Sequence, residues 1–450
     1  MGEAERQSAE VFLWEPVEES FQDAEFLWWR WENGLRSHAY NLDTLSFWIE
    51  ERLLGCLEGV RIGAEAAFEP LLAPALASDN PAQLVVAAHV AATGESAQAC
   101  EVLLVMIGAA SGERLAMLRR GVELSEDKTI RRAVEGRLAA GAVEHKGALL
   151  DLRSFHRQDP GVELAEVLRA SEPRLRAKAL RAVRYLPIGQ AVPLIGRSLD
   201  ESEPAPRNAV IESGLVLGSL DAWSRCLELV RREAKGVGPL LALVAMLGKE
   251  HDHEFLITSI GNQKLRRDAL FALGYAGTKR AADVCVESMQ DPKDARVAAE
   301  SLCAITGLNL ELEQMITRPD PEHPDEPIPF EQDDLDADLV PSADEYLPLP
   351  AVEPIRDWWQ RNRNRFQDRV RYLAGREVTL PGLCDYLATG PLRRTHGIAL
   401  EISVRTGGHV DLETSTFSGR QRARVAGLPA TALQATGSAF QRMLSRVRAA

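Results

Sequence analysis

The stretch EHDHEFL sets His251, Asp252, His253 and Glu254 in a row. Imidazole nitrogens and carboxylate oxygens are the ligands of zinc and iron sites, so this run is the densest candidate for metal chemistry in the chain. On a helix, though, adjacent residues project about 100° apart, and His251 and His253 do not converge on one point. No second group of ligands at metal-ligand spacing stands elsewhere. The apolar run LLALVAMLG closes at Gly248 just before, so the four polar residues read as an exposed turn between helices. No metal and no other cofactor is expected.

Other chemistries leave fewer traces. There is no GxSxG elbow, no Walker A loop, no GxGxxG after a strand and no HExxH. His38, His89, His145, His156, His396 and His409 stand singly, and His89, in VVAAHVAATG, reads as a packed or rim histidine. The six cysteines form no CxxC pair and sit mostly among apolar neighbours, where a reduced thiol acts as a small hydrophobe. The chain is predicted not to be an enzyme.

Aromatic residues carry a stronger signal. FLWWRWENG, residues 26 to 34, holds Trp28, Trp29 and Trp31, and five of the eight tryptophans lie in the first 48 residues. Ser20 and Asp23 fit a capping box that starts a helix at Phe21, and Asn33-Gly34 fits its stop. Phe21, Ala24, Trp28 and Trp31 then share one face, to be packed on a second helix that begins after Asn41 and turns Leu45, Ile49, Leu53 and Cys56 inward. Phe26 and Trp29 project elsewhere, which makes them candidate partner-binding residues.

These side chains must be positioned by helices that repeat. RAKALRAVRYLPIG, RNAVIESGLVLG, RRDALFALGYAG and RVAAESLCAITG each run from an arginine through small and apolar residues to a glycine. The closing glycines, with Gly248 in the gap, are Gly189, Gly218, Gly248, Gly277 and Gly307, at intervals of 29, 30, 29 and 30. Each is expected to supply a left-handed cap before a second helix. Ala179, Ala209, Ala269 and Ala298 recur at one register and allow close helix approach. A helical hairpin cannot bury its apolar face alone, so neighbours must stack. The predicted fold is all-α, a HEAT-like α-solenoid of stacked helical hairpins with a period near 30 residues, and with almost no sheet.

This pattern resembles the short HEAT-like repeats of phycobilin lyases and many bacterial scaffolds. HEAT-like iron hydroxylases use several His-Glu dyads, whereas His253-Glu254 stands alone here. Two further segments extend the resemblance: the opening DAEFLWWRWENGLRSHAYNLDTLSFWIEERLLGCLEGV and the later TLPGLCDYLATGPLRRTHGIALEISVRTGG. With the repeats they look like an uncharacterised bacterial family of HEAT-like proteins, often paralogous, some encoded near type VI secretion genes. That resemblance implies no catalytic residue.

The net charge of -14 is uneven. Residues 318 to 356 hold twelve Asp and Glu against Arg318 and Arg356, a net -10, and nine of the 24 prolines. Proline and acidic repulsion make 318–355 a Pro-rich linker. It is either solvated or held along the repeats by Phe330, Leu335, Leu339 and Tyr346, with Leu347 beside them. From Arg356 to Arg376 seven arginines face only Asp357 and Asp368. Trp358, Trp359, Phe366, Val370 and Leu373 recur at helical spacing, which predicts an amphipathic helix whose basic face is either paired with the acidic linker or solvated. Trp358 and Trp359 join the candidate partner-binding residues. Nucleic-acid binding through this helix is an alternative, disfavoured because the rest of the chain carries only -4 and is not basic.

The expected segments are thus an aromatic helical cap at 1–60, repeats at 61–317, the linker at 318–355 and a helical module at 356–450. No apolar run reaches the ~18 residues of a membrane span, and no apolar signal core opens the chain, so a cytoplasmic location without membrane contact is expected. The expected function is a non-catalytic scaffold or adaptor for a protein partner, with a lyase-like HEAT-repeat enzyme or small-ligand binder as the rival class.

Overall fold

The structure, a computed structural model, describes residues 14–63, 65–94, 96–317 and 342–428. They are overwhelmingly helical. Among the described residues the strands are the pairs Tyr372–Leu373 and Arg376–Glu377, with one further isolated bridge between Ile316 and Pro350. Among the described residues no helix is long and apolar enough to cross a membrane. The chain forms two compact units, one up to Ser198 joined by Leu412–Gly427, the other Leu199–Asp411. This division cuts across the segments expected from composition.

In the first unit the opening helix runs Trp14–Gly34, about two turns longer at its start than the sequence suggested. Ser20 does not cap it. Its hydroxyl donates to the Pro16 carbonyl one turn back, a bond that lets serine sit inside a helix. Asn41 caps the next helix as expected, its side chain taking the Thr44 amide while Thr44 takes the Asn41 amide. That helix widens into a π-turn over Ser46–Glu50 before continuing as Glu51–Ile62. Leu45, Ile49 and Leu53 are buried and Cys56 is half-buried. Trp31 meets Glu50 at one end and Ser20 nears Gly59 at the other, so the two helices are antiparallel.

Beyond them, Pro81–Thr93, Gly112–Glu123, Val143–Phe155 and Pro173–Ala182 pack each on the next, while Ala97–Ala109 packs on Lys128–Ala139. Helices therefore neighbour the second helix along the chain as well as the first. The unit is completed by Leu412–Gly427, whose helix Ser418–Ala426 lies against Leu42–Leu45.

The second unit repeats that alternation: Gly238–Leu247, Arg266–Ala276 and Ala295–Thr306 lie side by side, each linked to an intervening helix. Ala209, Ala269 and Ala298 here, and Ala179 in the first unit, are all buried, as their shared register requires. The capping glycines divide. Gly218, Gly277 and Gly307 adopt positive φ. Gly189 instead lies inside the Ile188–Ser198 helix, and Gly248 is an extended cap with φ -71°. Pro187 explains the first exception, because it ends one helix and begins the next one residue earlier than the glycine.

The arginine-rich stretch is not one helix. Val352–Asn362 is helical, a 3-10 turn follows at Arg363–Arg365, and the chain then forms the two-residue hairpin. Ala374 and Gly375 at its tip both have positive φ, which the right-handed twist of a tight hairpin demands. The hairpin crosses the C-terminal ends of three neighbouring helices and satisfies their orphan carbonyls. Arg371 donates to the carbonyls of Met246 and Tyr275, the Tyr372 amide to Gly277, the Ala374 amide to Ala304 and the Gly375 amide to Ile305. A guanidinium among helix C-termini also opposes their dipoles.

Gly277 is fixed by this crossing. Its φ is +64° and a Cβ would collide with the carbonyl of Tyr372. Gly218, at φ +75°, has open space around it. Gly218→Ala should therefore lose only the left-handed strain, about 1–2 kcal/mol, whereas Gly277→Ala should lose more, because the hairpin must also move. Denaturant unfolding of the two variants, followed by hydrogen exchange at the Tyr372 amide, checks this. Equal losses would show that the hairpin does not clamp the helix end.

Candidate functional site

The opening helix carries two faces of opposite fate. Trp28 and Trp31 are buried and meet edge to face, ring centroids 5.7 Å apart. Trp31 Nε1 donates to Glu50 Oε2 at 2.9 Å, and the π-turn places that carboxylate where it also accepts from the Ser418 amide and hydroxyl. Phe417 tilts over Trp31 at 4.9 Å. Arg120 lies over the same indole, and donates to Glu32 at 2.7 Å and to the Ser415 carbonyl at 2.8 Å. The segment 412–427 thus closes the aromatic core of the first unit, with Glu50 and Ser418 in contact 368 residues apart in sequence.

Phe26 and Trp29 point the other way. Each is 60 % exposed, three residues apart on the solvent face of the helix. Arg30 sits over the Phe26 ring at 5.6 Å, and Glu19 and Asp23 lie exposed on the same side toward the helix start. A second exposed pair stands in the π-turn, Phe47 and Trp48, 62 % and 61 % exposed, with rings edge to face at 4.9 Å. Sequence reading singled out Phe26 and Trp29. It missed Phe47 and Trp48, whose outward aim depends on the register of the π-turn.

The other candidates fare differently. Trp359 is 3 % exposed, its Nε1 donating to Asp283 at 2.9 Å and its ring against Phe366. It is a packing residue of the second unit and has no surface to offer a partner, while Trp358 is half-buried. The correction follows from the carboxylate of Asp283, which draws in both Trp359 and Arg363. Arg363 pairs there and Arg371 with Glu401, so these two arginines face helix carboxylates within their unit. Among the described residues, both of these carboxylates lie outside the 318–355 linker. Burial alone would raise the Glu401 carboxyl; Arg371 and then Arg405 overcome it and hold it below the usual range.

Of the linker anchors, Phe330, Leu335 and Leu339 lie outside the described residues. Tyr346 is exposed, and the buried residue is its neighbour Leu347, whose carbonyl accepts from Arg296. Asp344 takes Arg267 and Arg393, and Glu353 pairs with Arg356 one turn further on.

The His251–Glu254 run is the first turn of a helix, Glu250–Ser259, not a turn between helices. Asp252 is buried and caps the helix by accepting the Lys249 amide; His253 Nε2 lies 3.0 Å from the Ala245 carbonyl. Two of the four groups are thus engaged in holding the helix start. Among the described residues no three His, Cys, Asp or Glu side chains gather as a metal site would need.

Compared with known protein families, with curated proteins and with solved structures, the chain matches none.

Proposed function

We propose that the chain is a non-catalytic scaffold or adaptor whose first unit offers the Phe26–Trp29 face to a protein partner. The observation that carries this is the exposure of two large aromatic rings on one helix face, directly opposite the packed Trp28 and Trp31. Rings of this kind bury much area with few torsions to fix, which is why they dominate interface energetics. Glu19 and Asp23 flank Phe26, so the partner is expected to bring an apolar socket edged by Lys or Arg.

The proposal includes a HEAT-like character for each unit. What supports it is helix spacing. Alternate helices begin at residues 81, 112, 143 and 173 in the first unit, intervals of 31, 31 and 30, and at 204, 238, 266 and 295 in the second, intervals of 34, 28 and 29. On the resemblance of the opening and closing segments, we extend the proposal to a partner drawn from a bacterial type VI secretion or effector locus.

The test is affinity capture with the intact chain and its Trp29→Ala and Trp28→Ala variants. Trp29→Ala should leave the melting temperature nearly unchanged, since exposed substitutions stay within about 0.5 kcal/mol. It should weaken partner binding by roughly thirtyfold or more, the loss of an anchor of about 2 kcal/mol. Equal partner recovery by wild type and Trp29→Ala would remove the face from the account.

A further inference from the structure

The first unit contains an open cavity of about 530 Å³. Four separated stretches build it: 50–61, 89–93, 124–127 and 417–420. Leu54, Leu57, Leu124 and Phe417 give it apolar walls. The polar groups around them already have partners. Glu58 pairs with Arg61, and Arg420 with Glu126 and the Leu124 carbonyl. Asp127 caps the Lys128–Ala139 helix, Ser125 donates to the Ala92 carbonyl, and Glu50 is held by Trp31 and Ser418.

His89 differs. It is only 6 % exposed and lines the cavity. Its Nδ1 lies 3.0 Å from the carbonyl oxygen of Gly121. A carbonyl only accepts, so Nδ1 carries the proton and Nε2 presents a lone pair. Gly121 makes this approach possible, because a Cβ there would stand 2.7 Å from the His89 amide nitrogen and from the Val85 carbonyl. Burial, with Arg420 and Arg120 adding to it, pushes the imidazole pKa down to about 4, which keeps the ring neutral. Nε2 has no hydrogen-bond partner among the described residues. His89 lines the open cavity, and an acceptor left unfilled beside apolar walls marks where a ligand donor fits.

We propose that this cavity binds a small, neutral, largely apolar molecule that gives one hydroxyl or N–H hydrogen to Nε2 of His89. The Glu50, Glu58, Glu126 and Asp127 carboxylates around the cavity disfavour an anion. The leucine and phenylalanine walls suit a ring system. The site is independent of the Phe26–Trp29 face, which lies on the solvent side of the opening helix.

Indole and 1-methylindole test this, since they share a ring system and differ in the N–H. Titration calorimetry on the full chain should show indole binding at least tenfold tighter than 1-methylindole. His89→Asn keeps an amide donor toward Gly121 and removes the acceptor, so it should bind the two compounds equally. Nitrogen NMR of the wild-type histidine rings provides a readout that needs no variant: the Nε2 resonance of His89 should shift with indole and not with 1-methylindole. Binding of neither compound, equal binding of both by wild type, or an Nε2 resonance unmoved at saturating indole would overturn the proposal.

Discussion

Replacing Arg394 with methionine should destabilise the second unit by about 3–5 kcal/mol, the loss expected when one partner of a buried ion pair is removed. Arg394 is buried to 1 % exposure yet fully engaged. Its guanidinium grips Glu300 through two bonds of 2.8 and 2.6 Å and donates to Ser301 Oγ and to the Phe271 carbonyl, both at 2.9 Å. Phe271 and Tyr275 lie within 4.2 and 4.7 Å of its central carbon. Gly274 is part of the same arrangement, since a Cβ there would collide with the guanidinium. Arg394 thereby ties the start of the Thr395–Arg405 helix to two others. The methionine variant leaves the Glu300 carboxylate with only the more distant Arg393 at 4.0 Å, whereas Arg394→Met with Glu300→Leu removes both charges of the pair. The double variant should recover much of the loss. Hydrogen exchange across Thr395–Arg405 reads the effect in this unit alone, which matters in a chain of two units where global unfolding need not be two-state. A loss under about 1 kcal/mol in the single variant would show that the pair is not a tie.

Trp31→Ala should cost the first unit about 3–5 kcal/mol, the usual range for deleting a buried indole. The side chain is completely buried and touches Trp28, Phe417 and Arg120. Its loss also removes one donor from the buried Glu50 carboxylate, though Ser418 keeps its two. Trp31→Phe should retain most of the ring contacts and lose less. Trp29→Ala, two residues away, should be close to neutral. Thermal unfolding of the three variants reads the series, and similar losses for Trp29→Ala and Trp31→Ala would mean the helix is enclosed on both sides.

The contrast between Trp29 and Trp31 was legible in the sequence, because helical periodicity alone puts Phe21, Ala24, Trp28 and Trp31 on one side. The register of Ala179, Ala209, Ala269 and Ala298 was legible for the same reason. Two other features were not. The Arg356–Arg376 stretch has apolar residues at helical spacing, and the long-range pull of Asp283, Glu401 and three helix C-termini overrides that local pattern. Gly375 was the available signal, a turn residue beside Ala374 that a continuous helix would not favour. The return of Leu412–Gly427 to the first unit has no local signature, since its reason is the buried carboxylate of Glu50. The cavity at His89 was hidden on the same ground: its four contributing stretches meet only after the chain has folded.

Oxidative footprinting of the tryptophans, in the free chain and in the captured complex, tests the proposed docking face most directly. In the free protein Trp29 and Trp48 should be labelled readily and Trp28 and Trp31 scarcely, following their exposure. Partner binding should protect Trp29 while leaving Trp28 and Trp31 as they were. Labelling of Trp29 that stays the same in a stable complex would contradict the account, and would move the partner's site away from the opening helix.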